Sequence, residues 1–121
     1  MPFNERHFDE ITMLDFSDRL TYTAGLELGH RVSVLAATGI RNVVLNLEHV
    51  TYVDSAGLGA LVDAFTQLRH AGGALRFVGP TIRTQHLLQI TGIASLVQTF
   101  TSESAALASF EGGSPTGSPG A

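Results

Sequence analysis

Val43-Val44-Leu45-Asn46-Leu47-Glu48-His49-Val50-Thr51-Tyr52-Val53-Asp54-Ser55-Ala56-Gly57-Leu58-Gly59 is the stretch that decides the fold. It opens on an apolar run of strand length, Val43 to Leu47, rich in β-branched residues. A polar-interrupted connection, Glu48 to Thr51, leads to Tyr52-Val53 and then abruptly to Asp54-Ser55. From Leu58 the period changes, because Leu58, Leu61, Val62, Phe65 and Leu68 recur at helical spacing. The order is strand, turn, helix, with Asp54 and Ser55 where the helix begins and glycines at 57 and 59 baring its first turn.

A helix start leaves backbone N–H groups without intrahelical partners, and Asp or Ser can cap them. The same groups and the helix dipole favour an anion. Two readings of Asp54-Ser55 follow: an ordinary N-cap, or an exposed, modifiable hydroxyl on a protein-binding helix. Local pattern leaves both open.

Working outward, Phe3 to Phe8 can form a short first strand, and Ile11 to Ser17 reads more clearly as one. In the second, Thr12, Leu14 and Phe16 share one face, and Ile11, Met13 and Asp15 the other. Asp18 to Thr21 should turn the chain into a helix from about Thr23 to Ala37, whose buried stripe is Ala24, Leu28, Val32 and Leu35. Thr38-Gly39 ends it. After the central strand and helix, Ala71-Gly72-Gly73 breaks the pattern, and Leu75 to Gly79 is a further strand. Thr81 caps a helix running to about Thr91, with Ile82, Leu87, Leu88 and Ile90 as its apolar residues. Leu96 to Phe100 is a last strand, and Thr101-Ser102-Glu103 starts a last helix that docks Leu107 and Phe110 on the sheet.

From residue 43 onward the β-α-β-α-β-α order calls for parallel strands with crossover helices, and the early strands make the sheet mixed. The chain thus divides into one α/β domain, residues 1–110, and a Gly/Ser/Pro-rich tail, residues 111–121, expected to be disordered.

Composition narrows the function. With 121 residues and 44% hydrophobic content, the chain can bury a single core, and no continuous apolar span reaches transmembrane length. The N-terminus lacks a charged-then-apolar signal pattern, and the absence of Cys removes disulfides, thiolate metal sites and a cysteine nucleophile. These features fit a cytoplasmic protein without membrane insertion. The net charge is -4, and all seven basic residues are Arg, spread from Arg6 to Arg83 without a cluster, which argues against direct DNA binding.

Catalytic patterns are missing. His7, His30, His49, His70 and His86 are scattered and never carry metal-ligand spacing, so no metal site is indicated. Gly57-Leu58-Gly59 lacks the third glycine of a dinucleotide fingerprint and the Lys of a phosphate cradle. No G-x-S-x-G elbow surrounds Ser55. The chain reads as a substrate of regulation, not an enzyme, and no cofactor is implied.

The Asp54-Ser55-Ala56-Gly57-Leu58-Gly59 ending resembles the central segment of the STAS domain family, the bacterial anti-sigma factor antagonists. The likeness runs from about Ile11 to Phe110. It includes Val44-Leu45-Asn46-Leu47, Gly72-Gly73, Leu88-x-x-Thr91-Gly92-Ile93 and Ser104-Ala105-Ala106-Leu107. The resemblance implies an α/β fold, a mixed sheet of four to five strands flanked by about four helices.

The resemblance also implies a switch. Ser55, directly after Asp54, would be phosphorylated by an ATP-dependent serine kinase that is itself the anti-sigma factor. The unphosphorylated form would bind that partner and free the sigma factor, and a serine phosphatase would restore it. The expected contact surface comprises Asp54, Ser55, Ala56, Gly57, Gly59, Ala60, Asp63 and Thr21. Two departures stand out. Asp18-Arg19-Leu20-Thr21 replaces a Gly-Glu-Leu-Asp seen in many antagonists, so Thr21 stands in place of a partner-facing acid. Ala56 replaces a second serine of some members, leaving Ser55 as the hydroxyl of the motif. Two other roles remain compatible: a scaffold in a signalling complex, and an accessory subunit of a lipid-transport ABC system.

Overall fold

A computed structural model describes residues 3–111. The tail expected to be disordered lies outside the described residues, apart from the helix residue Glu111. One five-stranded sheet has the order β1 (Phe3–Phe8), β2 (Ile11–Leu20), β3 (Asn42–Val53), β4 (Ala74–Val78) and β5 (Gln98–Phe100). β1 pairs antiparallel with β2, and the other neighbours pair parallel, giving the expected mixed sheet. The helices are α1 (Tyr22–Ala37), α2 (Ser55–His70), α3 (Ile82–Ile90) and α4 (Glu103–Glu111), with a 3-10 turn at Ile93–Ser95.

The central run explains the layering. Val43 to Leu47 is buried at every position, as a strand covered on both faces must be. Val43, Leu45 and Leu47 join the large core with Leu28 and Val32 of α1, Leu61 and Leu68 of α2, and Leu88 of α3. Val44 points the other way, into a smaller cluster with Ile11, Met13, Val78 and Ala106 of α4. The expected α1 stripe, Ala24, Leu28, Val32 and Leu35, is buried. α1 and α2 pack closely because Gly25 has no side chain: a Cβ there would lie 2.8 Å from that of Ala60.

α4 is held by charge as well as by Ala106. Arg6 donates from Nε and Nη2 to Asp15 at 2.6 and 2.7 Å, and from Nη1 and Nη2 to Glu103 at 3.1 and 2.9 Å. Asn46 Nδ2 adds a bond to Asp15 Oδ1 at 2.8 Å. Burial pushes the Asp15 carboxyl up, but the Arg6 and Asn46 hydrogen bonds and the Arg6 charge together hold it below its ordinary value.

Four expectations need correction. Asp18 to Leu20 does not turn the chain; β2 continues through it, paired with β3 through two register shifts. Those bulges break the alternation on which a strand is recognised. Glu48 to Thr51 is not a connection either, since β3 runs unbroken to Val53 with Glu48, His49 and Thr51 exposed. In α3, Ile82 and Ile90 are 90% and 67% exposed, and the buried positions are Thr84 and Leu88. Thr84 tolerates burial because its N–H donates to the Thr81 hydroxyl oxygen at 3.2 Å and its own hydroxyl oxygen accepts from that hydroxyl at 3.1 Å. Finally, the last strand begins at Gln98, because Ile93–Ser95 takes a 3-10 turn after Gly92 at φ 83°.

Candidate functional site

β2 and β3 end as paired neighbours, Leu20 opposite Val53. One residue later each enters a helix, through Thr21 and Asp54. The N-termini of α1 and α2 therefore open side by side at the carboxyl edge of the parallel strands, where α/β sheets place their sites.

At α2 the two readings of Asp54-Ser55 separate between the two residues. Asp54 is the cap: its backbone is extended, and its Oδ1 accepts from the Gly57 N–H at 2.8 Å. Ser55 is the first helical residue, exposed, and its hydroxyl makes no hydrogen bond among the described residues. The cap thus leaves the serine free. Thr21 at α1 is half-buried and makes no side-chain cap bond.

The other expected residues divide by role. Ala56, Gly59, Ala60 and Asp63 line one groove of about 540 Å³ between α1 and α2, opposite Gly25 and Gly29. Gly57 faces away from it: a Cβ there would lie 2.0 Å from the Leu20 carbonyl oxygen. Its bareness lets α2 begin against the end of β2, which positions Ser55. Gly59 is different, since nothing lies within 4 Å of where its Cβ would be. Across the groove, Gln67 accepts from the Ser33 hydroxyl at 2.6 Å and fixes the helix pair.

Sequence reasoning missed two large apolar residues of the groove. Tyr22 and Leu26 of α1, 64% and 56% exposed, line the same groove. Both fall off the Ala24-Leu28-Val32-Leu35 stripe, and that displacement is the signal that would have found them. A second cleft of 710 Å³, bounded by Glu48, Pro80, His86 and Phe100, contains none of the expected site residues. Among the described residues no group of three or more His, Asp or Glu could hold a metal, and no helix is long and apolar enough to cross a membrane.

This is an α/β domain with an exposed hydroxyl on a capped helix start, beside a groove floored by small residues. The model of the STAS domain family matches residues 3–106, and the chain belongs to that family. An anti-sigma-B factor antagonist of Staphylococcus aureus (strain NCTC 8325 / PS 47) is 34% identical over 71 residues, which is 59% of this chain and 66% of that protein. The match thus spans just under two thirds of that curated relative. Two solved structures of SpoIIAA share the fold. The unphosphorylated anti-sigma factor antagonist superposes with a TM-score of 0.80 at 18% identity, covering 91% of this chain and 96% of that one. The phosphorylated Bacillus form gives 0.73 at 17% identity, covering 90% and 99%.

Proposed function

We propose that this chain is a cytoplasmic, non-enzymatic anti-sigma factor antagonist switched at Ser55. Unphosphorylated, it binds an anti-sigma factor that is also a serine kinase, and so frees the sigma factor. ATP-dependent phosphorylation of Ser55 ends the binding, and a serine phosphatase restores it. The observation that carries the proposal is the division of labour at α2: Asp54 caps the Gly57 N–H and leaves the Ser55 hydroxyl exposed and unbonded. The name of the Staphylococcus aureus relative supports the same role.

The physics suits a switch that does not unfold its carrier. A phosphoryl group adds a charge of about -1.5 to -2. At a helix N-terminus the dipole and free N–H groups accommodate it. On the contact surface it stands beside Asp54, and a partner that fits the neutral hydroxyl must then desolvate or face that charge. The test is to phosphorylate the protein with ATP and the purified anti-sigma factor kinase of the same genome, then map the site and titrate binding. The expected result is one phosphoryl group, on Ser55, absent in Ser55→Ala, with binding lost in the phosphorylated protein. Phosphorylated protein that binds as tightly as the unmodified chain would overturn the proposal.

A further inference from the structure

We infer that Arg19, laid over Tyr52 at the projecting end of β2 and β3, is a partner contact that takes a carboxylate of the anti-sigma factor. The inference rests on the antagonist reading above and adds the chemistry of the partner's surface.

The pairing of β4 with β3 stops at Asn46 opposite Val78, whereas β2 stays paired with β3 as far as Leu20 opposite Val53. A two-stranded ribbon therefore runs past the rest of the sheet to the two helix starts. Its backbone is irregular in a specific way. The register shifts between Asp15 and Ser17 and again between Asp18 and Arg19. Asp18 sits at φ 63°, in the left-handed region that few residues other than Gly, Asn and Asp adopt. The Thr51 hydroxyl donates to the Asp18 carbonyl at 3.0 Å and holds that kink. Bulges re-aim side chains, and backbone strain of this kind gathers at functional sites.

What the kink aims is Arg19. Past the shift it stands opposite Tyr52, with its guanidinium carbon 4.6 Å from the ring centroid. Tyr52 is 41% exposed and Arg19 is exposed. Arg6, Arg31, Arg41 and Arg76 donate to partners within the chain, and of the three described arginines that do not, Arg19, Arg69 and Arg83, Arg19 is the one stacked on a ring. Arg19 makes no hydrogen bond or ion pair among the described residues, although Asp18 adjoins it in sequence and Asp54 follows Tyr52 by two. The Asp54 carboxylate is engaged at the Gly57 N–H.

A guanidinium stacked on a ring keeps its planar fork of donors outward and loses less freedom on binding than a Lys would. That fork matches a carboxylate through two parallel N–H···O bonds. Arg and Tyr are also the side chains most often found to dominate the energy of protein interfaces. The pair lies one residue before Leu20-Thr21 and two before Asp54, so it continues the surface that carries Ser55. The partner is thus expected to set an Asp or Glu against a surface otherwise bearing Asp18, Asp54 and Asp63.

The experiment titrates the purified anti-sigma factor kinase of the same genome with four forms of the full chain: unmodified, phosphorylated on Ser55, Arg19→Glu and Arg19→Lys. Arg19→Glu should bind at least about tenfold more weakly with an unchanged thermal midpoint. Arg19→Lys, with the charge but not the fork, should fall between. Changing one partner carboxylate to Arg should restore binding to Arg19→Glu and not to the unmodified chain. Unmodified-level binding by Arg19→Glu, while Ser55 phosphorylation still abolishes binding, overturns the inference and leaves the antagonist reading standing. Weakened binding that no partner acid repairs, with a lowered midpoint, assigns Arg19 a structural role and overturns it as well. Loss with Arg19→Glu but none on phosphorylation sinks the switch and keeps the contact.

Discussion

Two glycines separated by one residue in α2 carry opposite expectations. Gly57 is bare because the Leu20 carbonyl occupies the place of its Cβ, at 2.0 Å. That neighbour is backbone in a paired strand and cannot swing aside. Gly57→Ala is therefore expected to cost more than about 3 kcal/mol, beyond ordinary overpacking, read as a lowered urea midpoint. Gly59 has open space where a methyl would go. Gly59→Ala should gain about 0.5–1 kcal/mol from helix propensity alone. It should also weaken anti-sigma factor binding, since the methyl enters the groove that Gly59 lines. A Gly59→Ala protein that is stabilised and binds as before would remove the groove from the contact surface. In sequence the two glycines look alike; only the end of β2 distinguishes them.

Among the elements, what was legible was whatever leaves a continuous apolar run, a helical stripe or a cap. β3 from Val43 to Leu47, the α1 stripe and the caps at Asp54 and Thr81 all appeared in sequence, because burial and capping leave periodic or paired signals. The end of β2 did not, because two bulges shift Ser17 to Arg19 off any period. α3 misled for a related reason: Ile82 and Ile90 are eight residues apart on a helix whose buried line runs through Thr84 and Leu88. α4 gives an element-scale prediction. Its tie to the sheet runs through Arg6 to Asp15 and Glu103, and β1 is tied to α1 by Arg31 on Glu5 at 2.6 Å. The Arg31 hydrogen bond holds the Glu5 carboxyl below its ordinary value against the opposing effect of burial, and Asp15 is also lowered. With folded values below unfolded ones, the unfolded chain binds more protons in the window between them. The stabilisation is complete above the ordinary carboxylate range and disappears as pH falls through the folded values. Arg6 and Glu103 are partly exposed, so Arg6→Ala should cost only about 1 kcal/mol at neutral pH. Urea titrations from neutral to acid should show a shallower decline for Arg6→Ala than for the unchanged protein. Parallel declines would mean that the Asp15 pairing does not contribute.

For the whole molecule, the large core under α1, α2 and α3 is distinct from the exposed first turn of α2 that carries Ser55. Stability and recognition should then be separable by mutation. Leu61 is fully buried in that core, and Leu61→Ala should cost about 2–5 kcal/mol. Because the helix start is held locally by Asp54 on Gly57 and by Gly57 against Leu20, the folded fraction should present an unaltered site. Measured well below its lowered midpoint, Leu61→Ala is expected to bind the anti-sigma factor with unchanged affinity. Phosphorylation of Ser55 should do the reverse, leaving the urea midpoint in place and abolishing binding. If Leu61→Ala loses affinity in proportion to its lost stability, the site is not held locally. Recognition would then depend on the packing of α2 along its whole length, and the contact would have to be sought in the motion of that helix rather than at its first turn.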